Sequence, residues 1–286
     1  MNRRIVVLAV LLLVAIGVWW SLQEPERVER TPAEVGASVQ RDIAYGPHER
    51  NRLDVYTPDL PGPFPTIIWL HPGGWTSGDK ARSMPVWDWT ERGYAVVAVD
   101  YRYAIAPDTV ADSVDDALAA VGFVIDHHAD WNLDSDRIGV YGFSAGGHLA
   151  AMVGHADLAV AAIAIAGAPT DFDPLLDPGV TFFDGKRGPA VVDAARALLG
   201  CTASPGTCDR LATESSPAQL SPGSADLLIV HGDRDPIVDI DQAYRLHDHL
   251  VAEGAAPLLV IVEGGSHEPH VTEGGIDVFF DERLLS

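Results

Sequence analysis

Short apolar runs alternate with helix-like segments along most of the chain, and this alternation constrains the fold more than any other feature. Segments 114–125 and 242–253 carry apolar residues at helical spacing. Strands that are covered on both faces and connected by helices build a mostly parallel sheet with helices on both faces. The sequence therefore predicts an α/β fold of this kind. The strand-like runs lie at 65–70, 94–99, 137–141, 158–166, 227–230 and 258–262.

The domain limits follow from where the alternation begins and where it is interrupted. Residues 23–40 are charged and lack periodicity, so we expect a tether there and a folded domain over 41–286. Residues 53–56 alternate apolar and polar positions, which is typical of an outer strand. The proline-rich stretch 169–222, with one helix predicted near 191–199, interrupts the pattern. We interpret this stretch as a small cap insertion that forms a pocket wall, with an inert surface excursion as the alternative.

The N-terminal segment 1–22 has the pattern of an export signal. Arg3 and Arg4 precede an apolar run over 5–20, somewhat shorter than the about 20 residues that span a bilayer as a helix. No small-residue cleavage site follows, and Trp19 and Trp20 suit a membrane interface, so an uncleaved anchor is favoured over a cleaved signal peptide. Either outcome places the folded domain outside the cytoplasm, membrane-anchored or secreted.

The net charge of the chain restricts the class of partner that it can bind. The 286-residue chain carries a net charge of −22, and a surface of this sign repels phosphate backbones, so we expect no nucleic-acid partner.

Cys201 and Cys208 enclose the turn-rich segment 202–207. This spacing predicts a local disulfide, with two free thiols as the alternative. Neither a metal nor a cofactor is expected, because the histidines form no ligand pattern such as H-x-x-x-H.

The segment Gly142-Phe143-Ser144-Ala145-Gly146 has the pattern of a nucleophile elbow. A strand-like run precedes it and a helix-like segment follows it. A sharp strand-to-helix turn places its serine in a strained backbone conformation, and flanking glycines leave room for neighbouring chain. Ser144 is therefore predicted to stand exposed at the tip of the turn as a nucleophile.

A serine nucleophile also requires donors for the oxyanion that forms during acyl transfer. The segment His71-Pro72-Gly73-Gly74-Trp75 follows a predicted buried strand and emerges at the same edge of the sheet. Its two glycines can turn their amides towards a bound carbonyl. With the amide of Ala145, they are the predicted oxyanion hole.

The acid and the base are expected on later loops of the same sheet edge. Asp235 follows the predicted strand at 227–230 and is favoured over Asp233, which lies nearer the strand end and suits a turn cap. His267 follows the last strand and is favoured over His270. His148, at the start of the helix after the elbow, is assigned to packing or local hydrogen bonding.

These motifs together resemble an α/β-hydrolase of the carboxylesterase group that includes hormone-sensitive-lipase-like and bacterial feruloyl- and acetyl-esterase-like enzymes. The similarity runs from about residue 45 to the end, and it includes Asp100-Tyr101-Arg102-Tyr103 as a structural motif. Pro72 stands where the group usually has glycine, but the next two glycines keep their amides. The resemblance implies a nucleophile, acid and base at Ser144, Asp235 and His267, and oxyanion donors at Gly73, Gly74 and Ala145.

The expected activity is hydrolysis of a small-molecule or carbohydrate-linked ester through an acyl-enzyme. An arylformamidase-like amidase and a carbohydrate acetyl- or feruloyl-esterase stay open as alternatives within the same chemistry. A binding protein that keeps the fold without catalysis is a further alternative, although every catalytic position is filled in this sequence. The acyl group and the oligomeric state are not specified by these patterns.

Overall fold

The computed structural model describes residues 36–81, 86–156, 158–176, 189–201, 205–268 and 275–285. Eight strands form one sheet in the order β1-β2-β4-β3-β5-β6-β7-β8. β2 pairs antiparallel with both β1 and β4, and the strands from β3 to β8 pair in parallel. The predicted mostly parallel sheet is therefore confirmed. The strands are β1 (Ala37–Ala44), β2 (Arg52–Pro58), β3 (Phe64–Leu70), β4 (Ala95–Val99), β5 (Leu133–Phe143), β6 (Ala162–Ala166), β7 (Asp226–Gly232) and β8 (Leu258–Val262).

Helices connect the parallel strands and cover both faces of the sheet. Short 3-10 turns at His128–Trp131, Asp173–Leu176 and Pro217–Gln219 and a final π-helical turn at Asp281–Leu285 complete the described structure. The α-helices are α1 (Val86–Glu91), α2 (Val110–Asp126), α3 (Ala145–Gly154), α4 (Pro189–Leu198), α5 (Pro205–Glu214), α6 (Asp241–Ala252) and α7 (Ile276–Phe280).

Alternate residues of the central strands enter two separate hydrophobic cores. Ile68 and Leu70 of β3 face the core that α2, α3 and α6 close, whereas Ile67 and Trp69 face the core beneath α7. All four side chains are at most 1 % exposed. Burying one such side chain contributes roughly 1.5–3 kcal/mol, and a one-residue slip would exchange the two faces. The two cores therefore fix the register of β3 and the place where it ends.

The topology brings the ends of β3 and β5 together at a crevice. β3 lies between β4 and β5. The chain leaving β3 returns to β4 on one side, whereas the chain leaving β5 continues to β6 on the other side. Ligand sites of open parallel sheets lie outside the carboxyl ends of the strands at such a reversal of strand order. The two predicted motifs at 71–75 and 142–146 both lie at this crevice.

The edge of the sheet differs from the prediction. β1 begins at Ala37, so residues 37–40, predicted as tether, belong to the sheet, and residues 53–56 lie in an inner strand rather than an outer one. Most side chains of β1 are at least partly exposed. β1 is held by backbone pairing with β2 and carries polar and charged residues, as edge strands commonly do. Such a strand has no apolar pattern from which it could be predicted.

The predicted anchor 1–22 and residues 23–35 of the predicted tether lie outside the described residues. Among the helices that the structure does describe, none combines the length and apolar character required to cross a bilayer.

The described parts of the insertion 169–222 pack into the core beside α2 and α3. Leu198 and Leu199 are buried there. Cys201 and Cys208 form a disulfide bond, and Cys208 lies within α5, a helix that the sequence did not predict. The segment is rich in turn-forming and polar residues, and its helix is stabilised by tertiary packing of Cys208 and Ala212 rather than by propensity.

Removing the disulfide should lower the stability of the insertion. Loop-closure entropy predicts that the double variant Cys201→Ala, Cys208→Ala loses roughly 2–3 kcal/mol of unfolding free energy. Guanidinium denaturation followed by tryptophan fluorescence measures this loss, and reduced wild-type protein serves as the control. Unchanged midpoints for both the variant and the reduced protein would contradict the expectation.

Candidate active site

Ser144 occupies a sharp turn between β5 and α3, in a backbone conformation that side chains rarely adopt. Its φ is 54° and its ψ is −121°, and its amide donates to the carbonyl of Ala166 at 2.9 Å. A Cβ on Gly142 would lie 2.1 Å from the carbonyl oxygen of Gly146, and one on Gly146 would lie 2.0 Å from that of Leu70. Both flanking glycines are therefore required by close backbone approaches, and the half-buried Ser144 side chain stands at the crevice.

The structure brings His267 and Asp235 to Ser144 in one hydrogen-bonded chain. His267 Nε2 lies 3.1 Å from Ser144 Oγ, and His267 Nδ1 lies 2.7 Å from Asp235 Oδ2. A carboxylate only accepts hydrogen bonds, so Nδ1 carries the proton and Nε2 of the neutral ring presents a lone pair to the serine hydroxyl. His267 is only 5 % exposed, so its ring orientation is fixed by packing.

Asp235 is held as a carboxylate by four donors. Its Oδ1 accepts hydrogen bonds from the amides of Ile237 and Val238 at 2.7 and 2.9 Å. Burial alone would raise the pKa of Asp235, but hydrogen bonds from His231 and His267 outweigh it and hold the pKa well below its usual range. An ionised Asp235 fixes the Nδ1–H tautomer of His267 and can stabilise the imidazolium that a proton transfer would form.

His231 is a contact of this site to which the sequence analysis assigned no role. Its Nε2 lies 2.9 Å from the carbonyl oxygen of Val238 and 3.3 Å from Asp235 Oδ2. Both partners are acceptors, so this nitrogen carries a proton and donates. His231 lies in β7 directly before its last residue, four positions ahead of Asp235, and this place at the carboxyl end of a buried strand was the available signal.

Asp233, the alternative acid, lies on the loop after β7 but does not contact His267. Asp233 Oδ1 accepts a hydrogen bond from the amide of Gly264 at 2.7 Å and so ties the loop after β7 to the loop that carries His267. A Cβ on Gly232 would lie 2.3 Å from the carbonyl oxygen of Ser266, which shows how closely the two loops approach. The alternative base, His270, lies outside the described residues.

The loop after β3 presents backbone amides at the same crevice. Gly73 and Gly74 have φ values of 134° and 57°. Within the described part of the chain, no group accepts a hydrogen bond from either amide. Ala145 is the first residue of α3, where helix amides have no intrahelical partner. These three predicted donors therefore have their N–H groups available at one end of the sheet.

A buried histidine and a tyrosine fix the start of this loop. Burial lowers the pKa of His71 to about 4, so the ring is neutral and its Nδ1–H donates to the carbonyl of Pro72 at 2.7 Å. The Tyr101 hydroxyl donates to the carbonyl of His71 at 2.6 Å, and the two rings stack with centroids 4.2 Å apart. Pro72 thus contributes a carbonyl to the loop rather than an amide to the crevice.

An eight-stranded, mostly parallel sheet with a serine elbow after β5 and an aspartate and a histidine after β7 and β8 defines an α/β-hydrolase. The predicted resemblance is confirmed by a match of residues 53–250 to the BD-FAE family model. The chain belongs to the BD-FAE family.

Named relatives agree with this assignment, and a solved esterase structure has the same fold. A probable isoprenylcysteine alpha-carbonyl methylesterase of Arabidopsis thaliana is 40% identical over 40% of this chain, and the match spans 24% of that relative. The chain thus spans about a quarter of the length of this plant relative. Carboxylesterase NlhH of Mycobacterium tuberculosis is 27% identical over 87% of this chain and 79% of its own length. Esterase B from Lactobacillus rhamnosis has the same fold, with a TM-score of 0.76, 18% identity, and coverage of 97% of this chain and 95% of that chain.

Ser144 should react selectively with a fluorophosphonate probe, because His267 Nε2 can accept its proton. Asp235→Asn should slow labelling by about two orders of magnitude or more, since the ring then loses its fixed tautomer and its counter-charge. Intact-mass and peptide mass spectrometry measure the rate and the labelled residue. Labelling of another serine, or an unchanged rate in Asp235→Asn, would contradict this geometry.

The two loop glycines should differ in their sensitivity to alanine. A Cβ on Gly73 would lie 2.0 Å from the carbonyl oxygen of Ser77, whereas one on Gly74 meets no atom within 4 Å. Gly74→Ala should lose only about 1–2 kcal/mol of stability from its left-handed backbone. Gly73→Ala must displace the loop amides, so its probe labelling should fall at least about a hundredfold. Thermal unfolding and labelling rates test the pair, and equal effects at both positions would refute this account.

Proposed function

We propose that this protein hydrolyses carboxylic esters through an acyl-enzyme on Ser144. One observation carries the proposal. His267 Nε2 lies within hydrogen-bond distance of Ser144 Oγ, while its Nδ1–H is held by the ionised carboxylate of Asp235. An alcohol nucleophile at neutral pH requires such a base, and the base requires an orienting acid.

In the acylation half of the reaction, Ser144 Oγ attacks the ester carbonyl as His267 Nε2 takes its proton. The carbonyl oxygen becomes an anion next to the amides of Gly73, Gly74 and Ala145. Preoriented amides stabilise this charge without reorganising during the step. The tetrahedral intermediate collapses, the imidazolium gives its proton to the leaving alcohol, and an ester bond joins the acyl group to Ser144.

In the deacylation half, water takes the place of the departed alcohol. His267 Nε2 removes a proton from the water as its oxygen attacks the acyl-enzyme carbonyl, and the same amides face the second oxyanion. Collapse of this intermediate returns the proton from His267 to Ser144 Oγ and releases the carboxylic acid. Asp235 stays ionised throughout, because its low pKa makes proton uptake from the imidazolium unfavourable.

Two relatives support an ester as the substrate class. The plant relative is named a probable methylesterase, and the mycobacterial relative that matches most of this chain is named a carboxylesterase. The proposal for this chain extends to small-molecule and carbohydrate-linked esters. Within that class, the described residues around the crevice, including the insertion, would select the acyl group.

Ser144→Ala should abolish the turnover of p-nitrophenyl acetate by the purified full chain. Removal of a serine nucleophile lowers kcat by several orders of magnitude, about 10⁶ in a comparable triad. Ser224→Ala, an exposed serine before β7 at the opposite end of the sheet, provides the matched control and should keep wild-type turnover. A panel from acetyl to decanoyl esters then defines the acyl preference.

No turnover of any acyl donor by wild-type protein whose Ser144 is labelled by a fluorophosphonate would refute ester hydrolysis. Residual activity in Ser144→Ala close to that of the wild type would assign the turnover to another group.

A further inference from the structure

The loop that presents the Gly73 and Gly74 amides continues into a residue with unfavourable backbone geometry. Trp75 has a φ of 58°, so three successive residues have positive φ. Glycine adopts this region freely, whereas a bulky side chain there is an outlier that persists only when its surroundings hold it. Trp75 is 1 % exposed, and its carbonyl accepts a hydrogen bond from the amide of Ala104 at 2.7 Å. The conformation of the loop amides thus depends on how the Trp75 side chain is held.

His148 holds that side chain. The indole Nε1–H of Trp75 donates to His148 Nδ1 at 3.2 Å, and the two rings meet edge to face with centroids 5.2 Å apart. His148 is fully buried in the first turn of α3, and its own amide donates to the carbonyl of Ser144 at 3.0 Å. One residue therefore connects the loop after β3 with the nucleophile turn.

The other ring nitrogen of His148 connects to the insertion. His148 Nε2 lies 2.8 Å from the carbonyl oxygen of Ser215, directly after α5. An indole N–H can only donate and a carbonyl oxygen can only accept, so His148 has a single compatible state, the neutral ring with its proton on Nε2. Burial lowers the pKa of His148 to about 4, in agreement with this neutral state.

Phe172 completes the packing around this contact. Its ring centroid lies 5.5 Å from that of Trp75 and 5.2 Å from that of His148, and its amide donates to the hydroxyl of Ser216. The residues Trp75, His148 and Phe172 form an aromatic cluster that lies between the loop after β3, helix α3 and the insertion.

We propose that His148 is a positioning residue for the ester hydrolysis proposed above, and that it holds Trp75 so that the Gly73 and Gly74 amides point to the oxyanion. The inference rests on the proposed function but goes beyond it, because it assigns the geometry of the oxyanion donors to a residue that does not touch the substrate. Ser215 holds the ring from the other side, so the insertion helps to set this geometry.

The proposal distinguishes transition-state binding from substrate binding. Misplaced amides weaken the contact with the anionic oxygen more than the contact with the uncharged ester carbonyl. A defect of this kind lowers kcat while KM changes little. It also weakens the binding of a trifluoromethyl ketone inhibitor, which binds as a tetrahedral oxyanion. A purely structural defect lowers the amount of folded enzyme. It changes neither kcat per labelled Ser144 nor the affinity of the folded enzyme for the ketone.

The experiment compares variants that remove one hydrogen bond at a time. Trp75→Phe keeps an aromatic ring and removes the donor to His148. His148→Leu removes both hydrogen bonds, and His148→Asn keeps an acceptor near the position of Nδ1. Trp75→Phe and His148→Leu should each lower kcat for p-nitrophenyl acetate about ten- to a hundredfold, with KM within about threefold. The inhibition constant of the trifluoromethyl ketone should rise by a similar factor, and His148→Asn should recover most of kcat.

The matched control is His155, directly after the last residue of α3. Its Nδ1 also donates to a carbonyl near the end of the insertion, that of Ser221, but it has no contact with Trp75. His155→Leu should lower the midpoint of thermal unfolding and leave kcat per labelled Ser144 unchanged. The double variant Trp75→Phe, His148→Leu should have a kcat no lower than that of the less active single variant, because both substitutions remove the Trp75–His148 hydrogen bond.

The outcomes separate this inference from the proposed function. Wild-type protein without ester turnover refutes the proposed function itself. Wild-type turnover combined with unchanged kcat and unchanged ketone binding in Trp75→Phe overturns the role of the Trp75–His148 contact. If His148→Leu does not fold, the test rests on Trp75→Phe and His148→Asn. Equal losses of kcat in these two variants, or additive losses of kcat in their combination, would also overturn the role of the Trp75–His148 contact.

Discussion

The site depends on one close approach of two backbone segments. The first turn of α3 lies so near the end of β3 that a Cβ on Gly146 would lie 2.0 Å from the carbonyl oxygen of Leu70. This approach brings the nucleophile turn beside the loop that starts at His71, and the buried register of β3 fixes where that loop begins. A serine and a set of amides from segments separated by about seventy residues thereby become a single site. The remaining contacts refine a geometry that this packing establishes.

Polar contacts hold the far end of the same loop. The carbonyl of Gly78 accepts hydrogen bonds from Arg50 and Tyr103, and the amide of Lys80 donates to the Asp100 carboxylate. Burial raises the pKa of Asp100 to about 6, despite the neighbouring guanidinium of Arg50. With His71 and Tyr101 at its start, the loop is held at both ends, while the amides of Gly73 and Gly74 between them stay available. A loop of this kind is positioned by its supports rather than by its own sequence.

The sequence predicted those parts of the molecule that have a local signal. The run 258–262 coincides with β8, and Ser144, Asp235 and His267 stand where their motifs placed them. β1 was missed because an exposed edge strand needs backbone pairing but no apolar alternation. α5 was missed because packing stabilises a segment of weak helix propensity. The partners of His148 and His231 are set by contacts between residues distant in sequence or across a turn, and no single-chain pattern specifies them.

The strained backbone of Ser144 has a consequence for how such a chain changes over evolutionary time. A glycine at this position would adopt the same φ without steric strain but would lack the hydroxymethyl side chain. Selection for stability alone would therefore favour a residue without a hydroxyl at this position, since backbone strain opposes folding. Ser144 and Trp75 both carry a side chain at positive φ, and each therefore adds strain that a glycine at the same position would avoid.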